Sequence, residues 1–296
     1  MSTSENDSTS AGALQAMPAR QMVQTGSFST AYYHAGEGPA RPIILVHGGG
    51  AGAESVSNWQ RCFPLFAAYA PTYCVDMVGF GNSDAPSPES FDYTQNARNQ
   101  QLIDFIDALD LGPAHLIGNS MGGATSLGVA MKRPDLVDSL VLMGSGGRAK
   151  AGALSPDLGP VIHYDFTVEG MRAIIGVLAN PGFIPSDEQV QYRYEMSIRP
   201  ELVVAYKATM GWVRENGLHY PDDMIAAVKS RTLVVNGKED KVVPIEQAFE
   251  FLKLLENSTG YLIPHCRHWA MIEYPDLFAK VCIDFFEDRT QYGDAL

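Results

Sequence analysis

The chain has 296 residues, of which 46% are hydrophobic and 19% charged, a balance that excludes a wholly disordered chain. The length fits one large domain or two modest ones. Thirty-four Asp and Glu residues against 21 Lys and Arg leave a net charge of −13, so bulk charge disfavours nucleic acid or an anionic membrane face as a partner.

The first 20 residues lack apolar periodicity and read as a disordered tail; its start, MSTSENDSTS, has no basic or apolar segment and is not expected to be a secretory signal. From residue 21 onward, short apolar runs alternate with amphipathic stretches. Strands are predicted at Pro42–Val46, Thr72–Asp76, Ala114–Gly118, Ser139–Met143, Thr232–Asn236 and Gly260–Pro264. These runs are apolar on both faces, as strands covered by helices must be. Helices are predicted over Tyr93–Leu109, Met121–Lys132, Pro244–Leu255 and Pro275–Phe286. The alternation predicts an α/β fold with a mostly parallel central sheet flanked by helices.

Residues 148–226 break the alternation. They hold no convincing buried strand and read as several helices punctuated at Gly159-Pro160, Pro181-Gly182, Arg199-Pro200 and Tyr220-Pro221. The expectation is an inserted helical lid that divides the core into 21–147 and 227–296. No run approaches the roughly 20 apolar residues of a spanning helix. The cysteines at 62, 74, 266 and 282 have no metal-ligand or redox spacing, which fits free thiols, a reducing cytoplasm and a soluble protein.

Chemistry is concentrated after the strands. Gly118-Asn-Ser120-Met-Gly122 follows an apolar strand and opens a helix of small residues. G-x-S-x-G alone is weak, and a tight glycine turn with an incidental serine would look the same. Strand, sharp turn and helix together are the setting of a nucleophile elbow. A serine nucleophile needs a base, and His268 lies in a loop just after the last predicted strand, with His265 as its local competitor. The base needs an orienting carboxylate, and Asp240 follows the strand Thr232–Asn236, with Glu239 as its rival. Ser120, Asp240 and His268 then stand in the chain order of an α/β-hydrolase triad. His47-Gly48-Gly49-Gly50 follows another strand, and its backbone N–H groups, with that of Met121, could form an oxyanion hole. Gly144-Ser-Gly-Gly147 lacks dinucleotide spacing and no metal-ligand cluster is visible, so no cofactor or metal is expected.

With these residues in view, the sequence resembles the meta-cleavage product hydrolases of bacterial aromatic degradation. These are a C–C bond-cleaving branch of the α/β-hydrolases. The likeness is carried by HGGGAGAESVSNW at 47–59, DMVGFGNSD at 76–84, GNSMGGATSLG at 118–128 and LVLMGSGG at 140–147. RYE at 193–195, GKEDKVVP at 237–244 and HCRHWAMIE at 265–273 extend it, so that it spans about residues 20 to 288. It is strongest to the carbazole-pathway members, around IHYDFTVEGM at 162–171 and YKATMGWVRENG at 206–217.

The resemblance implies cleavage of the C5–C6 bond of a 2-hydroxy-6-oxo-6-aryl-hexa-2,4-dienoate, giving 2-hydroxypenta-2,4-dienoate and an aromatic acid. It implies that Ser120 or a Ser-activated species attacks C6, that His268 shuttles protons and that Asp240 orients it. Gly49 and Met121 would hold the oxyanion. Arg193 would grip the substrate carboxylate, supplying the local cation that an acidic protein needs. Gly48, Asn58, Asn119 and Trp269 would line the dienoate site. A small-molecule partner and a homodimer are implied, with no nucleic acid and no membrane. One position departs from the family, where glycine precedes the catalytic histidine and here Arg267 does. If that backbone has φ > 0, arginine brings strain of about 1 kcal/mol or more. Two other readings share the motifs: a carboxylesterase or lactonase using the same triad, and a non-catalytic binding protein of the same fold. The Asn58 and Arg193 pair favours an acidic dienoate over a neutral ester.

Overall fold

The computed structural model describes residues 16–289. Most of the expected N-terminal tail, residues 1–15, lies outside that range; residues 16–20 have no regular structure. The strands are β1 (Gln21–Thr25), β2 (Phe28–Ala35), β3 (Ile43–Val46), β4 (Thr72–Val75), β5 (Ala114–Asn119), β6 (Val137–Met143), β7 (Arg148–Lys150), β8 (Gly217–His219), β9 (Arg231–Gly237) and β10 (Ser258–Ile263). The helices are α1 (Ser55–Trp59), α2 (Phe63–Ala67), α3 (Gln95–Ala108), α4 (Met121–Lys132), α5 (Gly159–Ile162), α6 (Val168–Leu178), α7 (Asp187–Ser197), α8 (Pro200–Asn216), α9 (Asp222–Ala226), α10 (Ile245–Leu254), α11 (Ala270–Glu273) and α12 (Pro275–Phe286).

Eight strands form one sheet in the order β1-β2-β4-β3-β5-β6-β9-β10. From β4 to β10 every pairing is parallel, while β1–β2 and β2–β4 are antiparallel. Ile43, Ile44, Leu45 and Val46 of β3 are wholly buried, each contributing about 1.5–3 kcal/mol of transfer free energy. Helix starts are set locally. The Thr94 and Thr167 side chains accept from the backbone at Ala97 and Gly170, and Ser186 with Gln189 forms a capping box for α7.

Each predicted strand is present, and the predicted helices coincide with α3, α4, α10 and α12 to within about two residues. Two corrections follow. The polar segments at β1 and β2 pair into an antiparallel extension of the sheet, turning at Gly26 with φ 57°. In β10, Thr259, Gly260 and Tyr261 are exposed, because it is an edge strand with a neighbour on one side only.

Between β6 and β9 the chain leaves the sheet. This insertion holds α5 to α9 and a two-stranded antiparallel sheet, β7 with β8, whose strands are too short and too exposed to show as buried strands. Met171, Ile174, Ile175 and Leu178 form the buried face of α6. The C-terminal ends of β3, β5, β9 and β10 all open toward this insertion, where ligand sites of open α/β sheets lie.

Candidate active site

The turn after β5 is strained. Ser120 has φ 55° and ψ −116°, a conformation that costs a non-glycine residue on the order of 1–3 kcal/mol. Two glycines permit it. A Cβ on Gly118 would lie 2.4 Å from the Gly122 carbonyl oxygen, and one on Gly122 would lie 2.3 Å from that of Val46. Strand, turn and helix can approach this closely only without those side chains. Ser120 caps α4, whose first residue is Met121. The N–H of Met121 therefore has no partner within its helix.

Asp240 and His268 are joined: His268 Nδ1 lies 2.8 Å from Asp240 Oδ2, with both side chains buried. The other Asp240 oxygen accepts from the backbone N–H groups of Val242 and Val243 at 2.8 and 2.9 Å. That fixes the carboxylate and leaves Oδ2 for the imidazole. The rival pair forms elsewhere, with His265 Nδ1 3.2 Å from Glu239 Oε1 on the surface. The histidine loop lies against Gly237 at the end of β9, where a Cβ would fall 2.1 Å from the Arg267 carbonyl oxygen.

The glycine run after β3 is held by His47. Its Nδ1–H donates to the Gly48 carbonyl at 2.7 Å, and its Nε2 accepts from the Met77 N–H at 2.9 Å. Burial pushes its pKa down, which keeps the ring neutral and this tautomer in place. Gly49 lies against Met121, where a Cβ would fall 2.5 Å from Cε.

Ser120, His268, Gly48, Gly49, Met121, Asn58, Asn119, Arg193 and Trp269 line one cavity, of about 820 Å³ with its open mouth included. Leu154, Leu158, Val161, Ile162, Met210 and Val213 of the insertion form an apolar wall. Arg193, on α7, is 4% exposed. Its Nη1 donates to Ser57 Oγ at 3.0 Å and Asn58 Oδ1 at 3.4 Å, and its Nη2 to the Ala51 carbonyl at 3.3 Å. It forms no salt bridge among the described residues, and its Nε has no partner. Burial lowers its pKa to about 10, so the guanidinium stays charged at neutral pH. A buried cation whose hydrogen-bond acceptors are all neutral, with the Glu54 carboxyl as its nearest electrostatic counterpart, is a ready receptor for a carboxylate where it faces the cavity.

Asn119 links two parts of the site. Its Nδ2 donates to the carbonyls of Met143 and His268, so the amide nitrogen ties the elbow to the histidine loop, while Oδ1 stays buried without a partner. Arg267 does not have positive φ, so the condition for strain there is not met. The left-handed residue in this loop is His265, with φ 56°. Three further residues carry the site, all within stretches that carry the resemblance. Ser57 is the nearest hydrogen-bond partner of Arg193. Glu54 accepts from the N–H groups of Val56 and Ser57 and so builds α1, and burial raises its carboxyl pKa to about 7. Gly144 has φ 47°, and a Cβ there would lie 2.9 Å from His268 Nδ1.

Comparison with known proteins agrees with this geometry. A family model described as the α/β-hydrolase fold matches residues 41–275. The chain is 46% identical over 271 residues to the 2-hydroxy-6-oxo-6-(2'-aminophenyl)hexa-2,4-dienoic acid hydrolase of Metapseudomonas resinovorans, covering 91% of each chain. Among solved structures it is similar to a serine hydrolase involved in carbazole degradation, with a TM-score of 0.83 and 44% identity, covering 92% of this chain and 99% of that one. It also matches the meta-cleavage product hydrolase of Pseudomonas fluorescens IP01, with a TM-score of 0.84 and 29% identity, covering 91% and 98%. Likeness of this extent, on a strained serine elbow and a joined Asp–His pair, means that the chain belongs to the α/β-hydrolase fold family, among its meta-cleavage product hydrolases.

Proposed function

We propose that the protein hydrolyses the C5–C6 bond of 2-hydroxy-6-oxo-6-aryl-hexa-2,4-dienoates, releasing 2-hydroxypenta-2,4-dienoate and an aromatic acid. The observation that carries the reading is Arg193. It is a buried guanidinium with no carboxylate partner among the described residues, lining the cavity that Ser120 and His268 also line. A neutral ester would leave the guanidinium without a carboxylate hydrogen-bonded to it, whereas a dienoate carboxylate supplies a bidentate partner.

The dienoate lies with its carboxylate on Arg193 and its aryl group against the apolar wall of 148–226, which serves as the lid. The 2-hydroxyl proton moves to C5 through His268, giving the C2 ketone. Ser120 Oγ, or a species it activates, then adds to the C6 carbonyl while His268 takes the proton. The N–H groups of Gly49 and Met121 receive the oxyanion. As C6 reforms its carbonyl, the C5–C6 electron pair passes into the enolate at C2 and His268 returns a proton. Water hydrolyses the acyl group and frees the aromatic acid. Asp240 holds the imidazole in the tautomer this cycle needs. The buried, unpaired thiols suit a reducing cytoplasm, and a homodimer is the proposed assembly.

Loss of visible absorbance from a 6-phenyl dienoate, with wild type and Ser120→Ala side by side, tests the reading. Bleaching by wild type alone, with benzoate appearing, is expected. A folded enzyme that leaves the dienoate coloured but turns over simple aryl esters would move the protein to the esterase reading. A protein that binds the dienoate and turns over neither would be a binding protein.

A further inference from the structure

The loop that carries His268 is fastened to the lid. Helix α6 ends at Leu178, and its last carbonyls need partners from outside the helix. Asn180, whose N–H could have closed the next turn, donates instead to Glu273 Oε2 at 3.0 Å. This leaves the Gly176 carbonyl to Arg267, whose Nη1 donates to it at 2.7 Å and to the Ala179 carbonyl at 3.2 Å. Between them, the His268 N–H donates to the Leu178 carbonyl at 2.9 Å. Glu273 Oε1 accepts from the Arg267 N–H at 3.0 Å, so one carboxyl group holds both sides of the junction. The guanidinium also sits at the negative end of the α6 dipole, where a cation is favoured.

The position of this junction gives it consequence. Leu178 lines the cavity and His268 is the next residue after Arg267. Any movement of the α6 end shifts an apolar wall of the pocket and pulls on the backbone of His268. A glycine at 267 would leave the end of α6 joined to the histidine loop through the His268 N–H and the Asn180 contacts.

We propose that Arg267 is a positioning residue that clamps the C-terminal end of α6 to the histidine loop, so that the lid wall and His268 move as one body. The side chain bonds the Gly176 and Ala179 carbonyls and acts on the site through Leu178 and His268. The kinetic part rests on the C–C hydrolase reading, and the structural part does not.

The test compares wild type, Arg267→Met and Arg267→Lys by hydrogen exchange and by steady-state bleaching of a 6-phenyl dienoate. In Arg267→Met, peptides spanning 172–182 and 264–270 are expected to exchange about tenfold faster, with the 114–119 strand peptide unchanged. The turnover number is expected to fall about tenfold with KM within about threefold, since Arg193 is untouched, and Arg267→Lys should recover part of both effects. Unchanged exchange in the two peptides overturns the clamp. Faster exchange that extends equally to 114–119 also overturns it, as global destabilisation. Faster local exchange with a turnover number within about twofold of wild type overturns the positioning role. Should Arg267→Met fail to fold, Arg267→Gln, which keeps a neutral donor of similar reach, carries the same comparison. A wild type that does not bleach the dienoate sinks the C–C reading, and the exchange data still decide the clamp.

Discussion

The Arg193 guanidinium carbon stands 4.8 Å from the centre of the Trp269 ring, so the residue after His268 forms the platform for the cavity's buried cation. Stacking orients the planar fork without neutralising it, and Ser57, Asn58 and Ala51 hold its edges through neutral acceptors. The arrangement is preorganised to receive an anion.

Replacing Arg193 with Lys should therefore keep the charge and lose the fork. We expect KM for an aryl dienoate to rise by about 10- to 100-fold, with a smaller change in turnover, because a charged hydrogen bond contributes roughly 1.5–3 kcal/mol. Arg193→Met should raise KM further. Hydrolysis of a neutral aryl ester by either variant should stay close to wild type. Equal losses on both substrates would show that Arg193 supports the fold and does not receive a carboxylate.

Asp240→Asn should abolish turnover while leaving the shape of the site intact. Asp240 Oδ1 accepts two backbone N–H groups. In the amide, the oxygen is held on that side and the NH2 group is turned toward His268. Nδ1 must then accept, which places the ring proton on Nε2 and removes the base. A fall of about 10⁴ in turnover is the scale for a wrong tautomer in such a triad. Dienoate bleaching with a matched melting curve checks it, and a loss below about tenfold would show that the imidazole does not depend on this carboxylate.

The glycines of the elbow make a stability prediction. Gly122→Ala would drive a methyl group to 2.3 Å from the Val46 carbonyl oxygen and 2.4 Å from that of His47, both rigid backbone. We expect a loss of about 3 kcal/mol or more, seen as a large drop in melting temperature or in soluble yield. Gly176→Ala, on α6 with open space around its Cβ position, should be neutral or slightly stabilising. A Gly122→Ala protein as stable as wild type would mean that β3 and α4 can separate at little cost.

How far the sequence reveals this site depends on whether a residue's role is local. Ser120, Asp240 and His268 each follow an apolar strand, so the order of strands and polar turns exposes them. The parallel strands from β3 to β9 are legible because burial on both faces demands continuous apolar runs. Strands β1 and β2 are not, because a polar segment such as QMVQT pairs only at an edge. Arg193 sits on a helix with no distinguishing pattern and becomes visible only through the family resemblance. Ser57 and Gly144 lie in stretches that carry the resemblance, and Arg267 stands out there only as a departure from it; what each does lies in contacts with Arg193, His268 and the end of α6.

Glu273 gives the pH dependence. Burial raises its carboxyl pKa from 4.5 to about 7, against backbone hydrogen bonds from Asn180, Arg267 and Trp269 that pull it down. Cys266, Glu239 and Asp240 lie near the same junction, and burial also raises the Cys266 thiol well out of the neutral range. Between about pH 4.5 and 7 the folded protein holds a proton on Glu273 that the unfolded chain has lost, so this site's contribution to stability falls as pH rises through that window and is level above it. Glu273→Gln removes the titration and leaves an offset that does not vary with pH. Urea unfolding of both proteins from about pH 5 to 8 should therefore show the stability of wild type relative to Glu273→Gln declining by roughly 1–3 kcal/mol. Glu54, raised in the same direction, contributes equally to both proteins and cancels in the difference. A difference that is flat, or that grows in favour of wild type with rising pH, would mean that Glu273 is ionised in the folded protein and is held by its N–H partners more strongly than it is penalised by burial.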